Sequence, residues 1–208
     1  MRLKWQFVTM ALLSLSLGAC IPTSQTPISD PEKAQPDPQL TGVWRMQEEN
    51  GSVHYVHIGT EKKNALDTSR QKPEAGLMRM VSISHDKEDG ELGDPTTLRS
   101  FTSEVDGTRY LNVAMDPEEG AMAGSPIKYI FVKYRVEGDQ LHLRLMDLKK
   151  TAAAIESNQL VGEVKYEDGN LREVKLKATP EQLRAFLASD NAKAVFPQEG
   201  TITYQRVK

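Results

Sequence analysis

The chain holds one cysteine, Cys20, and it stands directly behind an apolar run. A thiol is the most nucleophilic side chain near neutral pH, so what surrounds it decides its chemistry. Arg2 and Lys4 make a short basic start, and the stretch from Trp5 to Leu17 is apolar apart from Gln6, Thr9, Ser14 and Ser16. Leu17, Gly18 and Ala19 then lead into the cysteine. A basic segment, an apolar core and small residues at the cut form the layout of a secretory signal, and this one is too short to span a bilayer comfortably. A lone cysteine also excludes a disulfide within the chain.

The other reactive side chains form no comparable pattern. His54 and His57 are three apart on an expected strand, where an odd offset places them on opposite faces. His85 falls in a charged loop and His142 on the mixed face of its strand, and no His-Glu-x-x-His occurs. The acidic run Ser84-His85-Asp86-Lys87-Glu88-Asp89-Gly90-Glu91 fails as a calcium loop. Setting Gly90 on the invariant glycine puts His85, Lys87 and Thr96 where oxygen ligands are required. It reads as a solvated loop, as does Asp116-Pro117-Glu118-Glu119. There is no Gly-x-Ser-x-Gly, and Ser125 has no histidine near it in sequence. These residues point to no catalytic group, metal or cofactor, and a non-enzymatic role is expected.

Leu17-Gly18-Ala19-Cys20 resembles the lipobox of bacterial lipoproteins: an apolar residue, two small ones, then cysteine. The resemblance implies that the Cys20 thiol is diacylglycerylated, that residues 1–19 are cut away as a lipoprotein signal peptide, and that the freed amine is acylated as well. One acyl chain binds a membrane only marginally, on the order of 10⁴ M⁻¹, whereas two or three give stable attachment. The expected partner is therefore a membrane reached through acyl chains on Cys20. Ile21 stands where lipoproteins retained in the inner membrane commonly carry aspartate. In a host with two membranes the resemblance then implies the periplasmic face of the outer membrane.

Charge and composition bound the rest. The 208 residues carry 26 basic and 29 acidic side chains, a formal charge of −3, which offers no basic excess for nucleic acid. Removing residues 1–19 removes the positive Arg2 and Lys4 and no acid, leaving −5, so acyl chains and not electrostatics must hold the protein to lipid. A hydrophobic share of 38% with 6% aromatics excludes a polytopic membrane protein.

Residues 20–39 hold Pro22, Pro27, Pro31, Pro36 and Pro38 among polar side chains, with Ile21 and Ile28 the only large apolar ones. That composition predicts a tether, reaching roughly 60 Å as polyproline or about 25 Å as coil. From residue 40 to 208, short runs rich in Val, Ile, Leu, Tyr and Thr alternate with turn dipeptides. Asn50-Gly51 suggests a type I′ hairpin, and Asp106-Gly107, Glu137-Gly138-Asp139 and Asp168-Gly169-Asn170 repeat the device. Ile130, Val132, Tyr134 and Val136 share one face, as do Leu141, Leu143 and Leu145 on the next run. The expected fold is mainly β, an antiparallel meander closed into a barrel of about 8–10 strands. Two short helices interrupt it. Thr179-Pro180-Glu181-Gln182 reads as a capping box ahead of Leu183, Phe186 and Leu187, and Asp147 caps a run containing Leu148, Ala152 and Ile155.

Leu40-Thr41-Gly42-Val43-Trp44 resembles the Gly-x-Trp opening of lipocalin-type barrels, in which the tryptophan packs across the closed end. The stretch 134–141 is similar to their Gly-Asp hairpins, and residues 40–208 look like bacterial envelope lipoproteins of uncharacterised function. The resemblance implies a barrel that binds a small apolar or amphipathic ligand, with Trp44, Tyr55, Tyr129, Phe131 and Tyr134 as lining candidates. The second expectation is a non-enzymatic interaction or structural protein that docks on another envelope component.

Overall fold

A computed structural model of the chain describes residues 21–60, 76–88, 90–115 and 127–208. Cys20 and the lipobox lie outside the described residues, as do Ser125 and the Asp116–Glu119 run.

Eight antiparallel strands close a barrel. They are β2 (Gly42–Gln47), β3 (Val53–Thr60), β4 (Met78–His85), β5 (Thr96–Val105), β6 (Thr108–Met115), β7 (Lys128–Glu137), β8 (Gln140–Leu145) and β11 (Ile202–Arg206). Each of β2 to β7 pairs with the next in sequence, and β11 fits between β8 and β2 to complete the circuit. Closure removes the exposed edges that a meander would otherwise leave. The mainly β barrel expected from the hairpins is the fold, and the ten strands among the described residues after residue 40 divide into eight in the barrel and two beyond it. Those two, β9 (Gly162–Glu167) and β10 (Asn170–Leu176), form a hairpin outside the barrel.

The turns follow backbone chemistry residue by residue. Asp106 with Gly107 and Asp168 with Gly169 both take positive φ, the I′ pattern. Between Glu137 and Gln140 only Gly138 does, the II′ pattern. The Asn50-Gly51 hairpin corrects the expected I′ turn. Gly51 N–H donates to the Glu48 carbonyl and Gly51 alone has positive φ, so the loop is a turn followed by a bulge. The helices are α1 (Leu148–Glu156), α2 (Pro180–Leu187) and the single turn α3 (Ala192–Val195). Asp147 caps α1 by accepting from Lys150 N–H, and Thr179 and Gln182 form the reciprocal capping box of α2.

Side-chain alternation builds two cores from one wall. Inside the barrel lie Leu40, Trp44, Val56, Ile58, Met78, Met80, Leu111, Val113, Ile130, Val132, Tyr134, Leu141, Leu143 and Tyr204. The intervening residues Val105, Tyr110 and Phe131 point outward into a second core with Leu176, Leu183, Phe186, Leu187, Val195 and Phe196 from β10 and the helices.

Residues 21–39 take part in both cores, which corrects the expected free tether. Thr23–Ser24 form β1, parallel to β10 and bridged to Tyr129 of β7. Ile28 is fully buried in the second core. Its N–H donates to Oδ1 of Asn112 at 2.8 Å, and the Asn112 amide donates in turn to Ser103 Oγ and the Phe101 carbonyl. Further along, Thr102 donates to the Gln35 carbonyl, and a Cβ at Gly76 would collide with the carbonyl of Ala34. Proline suits this path, because a strap bonded mainly through side chains of the barrel needs few amide donors of its own. Composition predicts disorder when no partner surface exists. Here the outer face of β5 to β7, and then the adjoining end of the barrel, are that surface.

Phe186→Ala should cost about 3–5 kcal/mol, since the ring is buried between barrel wall and α2. Asn112→Ala should cost about 1–3 kcal/mol by leaving the buried Ile28 N–H without an acceptor. Urea denaturation of each variant against the parent chain checks both, and a change below about 0.5 kcal/mol in either would contradict this packing.

Candidate functional site

Three places on the barrel could bind something: its interior and its two ends. Hairpins alternate between the ends, so one end holds the start of β2, the 106–107 and 138–139 turns and the chain's last residues. The far rim holds the 48–52 and 86–95 connections and the departure of β8 toward α1.

The Trp44 end is sealed. The Trp44 indole is fully buried and donates to the Leu40 carbonyl at 2.7 Å. The Arg206 guanidinium lies 4.0 Å from the ring centroid and donates to the carbonyls of Thr41 and Gln39. A cation over an indole face is favourable in itself, and here it also fixes the strand that enters the barrel. Gly42, at a φ of 139°, leaves the room that this guanidinium occupies. Beside it Asp37 of the strap accepts from Tyr134 Oη at 2.8 Å and from Arg109 at 3.1 Å.

The interior is filled by side chains. Trp44, Met78, Leu111 and Leu141 are each at most 1% exposed, and the other members of the inner cluster at most 8%. A ligand-sized cavity would leave its lining accessible to a water-sized sphere, so none is walled by these residues. Burial also acts on the phenols. It raises Tyr204 to about 12, with the nearby Glu48 charge adding to it, and raises Tyr110 to about 12 against a smaller opposing hydrogen bond with Thr108. Tyr134 is raised by burial and then by its bond to Asp37.

The five aromatic lining candidates do not share a wall. Trp44 and Tyr134 point inward. Tyr55 alternates with the inward Val56 and faces out, half-buried. Phe131 sits in the second core, and Tyr129 packs against that core with its ring edge-on to Phe101. The first half of β7, residues 129–132, is apolar on both faces because both are covered there, and a two-faced apolar run reads from sequence as one binding wall.

At the far rim the inner apolar cluster becomes half-exposed. Met46, Leu98, Met115, Leu145 and Ile202 are the last inward apolar residues of their strands there, and Ile21 also packs on the cluster. Leu92 and Ile127, at 71% and 48% exposed, stand on the connections of the same rim. One polar pair interrupts it. His54 faces inward and its Nε2 lies 2.7 Å from Glu48 Oε1, with His54 Nδ1 lacking a partner. His57 points outward, as the strand offset requires, and His142 Nδ1 bonds Thr203 Oγ1 on the outer face. Among the described residues no three His, Cys, Asp or Glu side chains gather to hold a metal ion. Among them, too, no helix is long and apolar enough to cross a membrane.

Sequence reasoning missed Asp37, Asn112, Glu48 and Ile28. Only Ile28 carried a signal, as a large apolar residue alone in a polar segment. No family model, no curated protein and no solved structure matches the chain.

The raised phenols set an alkaline limit. The fold favours the neutral form of Tyr110 and Tyr204, so their contribution is intact below the ordinary value of 10 and is lost as pH rises through about 12. Titration of tyrosinate absorbance should show these phenols ionising together with unfolding. Reversible ionisation of all six tyrosines near pH 10 in the folded chain would contradict the burial.

Proposed function

We propose that the chain is a lipoprotein of the cell envelope whose filled barrel serves as a non-enzymatic docking or structural module, held close to the membrane by acyl chains on Cys20. The observation that carries this reading is the near-complete burial of the barrel's inner apolar cluster, which favours a solid body over a container. The lipobox Leu17-Gly18-Ala19-Cys20 supplies the anchor.

The strap changes what that anchor does. Ser24 bridges to Tyr129, the second residue of β7, at the far rim. Cys20 precedes Ser24 by four residues of chain, a reach of at most about 14 Å from that bridge to the anchor. A free tether would let the barrel roam several times farther. The attached chain instead holds the far rim, with exposed Leu92 and Ile127, toward the bilayer and turns the Trp44 end away. In a host with two membranes the barrel faces the periplasm from the outer membrane.

Cys20→Ser should shift the protein from the membrane fraction to the soluble fraction. Native mass spectrometry of that variant should show the bare polypeptide mass. Retention of the variant in washed membranes would overturn the anchor, and a reproducible bound small molecule would favour the ligand-carrying reading of the barrel instead.

A further inference from the structure

The barrel has no edges, but the sheet as a whole has one. From β7 it continues through β1 and β10 to β9, and among the described residues nothing pairs with the outer side of β9. Its sequence is Gly162-Glu163-Val164-Lys165-Tyr166-Glu167, preceded by Val161. Val161 and Tyr166 are 49% and 51% exposed, so two of the large apolar side chains left in solvent flank this one edge.

The backbone phase of β9 is determined by one bond. Lys177 N–H donates to the Val161 carbonyl at 3.0 Å, and these two residues are directly opposite in the register that sets Gly162 against Leu176. In an antiparallel ladder, hydrogen-bonded and non-bonded pairs alternate. Residues 161, 163 and 165 therefore turn their N–H and C=O toward β10, and Gly162, Val164 and Tyr166 turn theirs to the open side.

We propose that this edge pairs with β9 of a second copy of the chain, antiparallel, about a two-fold axis at Val164. In that register the outward groups meet in phase: Val164 opposes Val164, and Gly162 opposes Tyr166, as hydrogen-bonded pairs. The pairs between them set Glu163 against Lys165 on both sides of the axis, in the closer spacing of non-bonded pairs, where opposite charges attract. Gly162 has no side chain because a Cβ would strike the Lys175 carbonyl and Ile155 of α1. Neighbouring in-phase registers are opposed by charge. An axis at Lys165 sets lysine against lysine and Glu163 against Glu167, and an axis at Glu163 sets glutamate against glutamate. The charges that protect the edge from indiscriminate pairing therefore permit one mate, the same strand in one register. The interface is isologous and closed, so it stops at two copies.

Single cysteines placed in the full chain carrying Cys20→Ser test the register. Paired Val164 Cα atoms stand about 5.5 Å apart in a hydrogen-bonded pair, within the disulfide range of about 4.4–6.8 Å. Val164→Cys should give a disulfide-linked dimer on mild oxidation, and Lys165→Cys several-fold less. With the Val164→Cys reporter, Lys165→Glu should sharply reduce the dimer, and Glu163→Lys with Lys165→Glu should restore it. These charge changes are at solvent-exposed positions on the hairpin, so loss by misfolding is separable by circular dichroism. Equal cross-linking at 164 and 165, no dimer from folded Val164→Cys, or failure of the double reversal to restore it would overturn the proposal.

Discussion

The outward face of β5, β6 and β7 carries a patch of large apolar side chains, and the rest of the molecule is arranged to cover it. Phe101, Val105, Tyr110 and Phe131 stand on that face, and each is at most 7% exposed. Burying each such side chain contributes roughly 1.5–3 kcal/mol, so leaving the set in water would forfeit a large part of a typical domain's stability. The strap, β10 and the helices supply the cover. One polar group, the amide of Asn112, lies in the middle of it and accepts a backbone N–H that would otherwise be orphaned.

How legible this was depends on whether the signal is local. The capping box at Thr179, the cap at Asp147 and the positive-φ turns at Asp106 and Asp168 were readable because each is settled within four residues by backbone chemistry. Strand alternation marked Ile130, Val132 and Tyr134 as one face, and that face is the barrel interior. What could not be read was any feature whose partner is distant in sequence. Ile28 reaches Asn112 across 84 residues, and Asp37 reaches Tyr134 across 97. A proline-rich stretch carries no mark of the surface that will bind it. Tyr129 and Phe131 misled for a related reason: their apolarity was visible, but not that it served an outer core.

This arrangement shapes the proposed role. With the proposed acylation of Cys20, a flexible tether would make the lipid a mere mooring, whereas a strap bonded along the barrel would make it a fixed attachment with a defined orientation. Under that proposal the half-exposed apolar residues of the far rim would lie on the anchored side, and the Trp44 end, sealed by Arg206 and Asp37, on the side away from it. The β9 edge projects from the outer layer, clear of the closed barrel.

The central claim is that residues 21–39 are part of the folded body. Amide hydrogen exchange of the chain measures it most directly, read at Ile28. Its N–H is buried on the Asn112 oxygen, so its exchange should be slowed by several orders of magnitude and approach that of the barrel strands. Exchange at Ile28 at the rate of an unstructured peptide, with the barrel amides protected, would contradict the claim and return the segment to a tether.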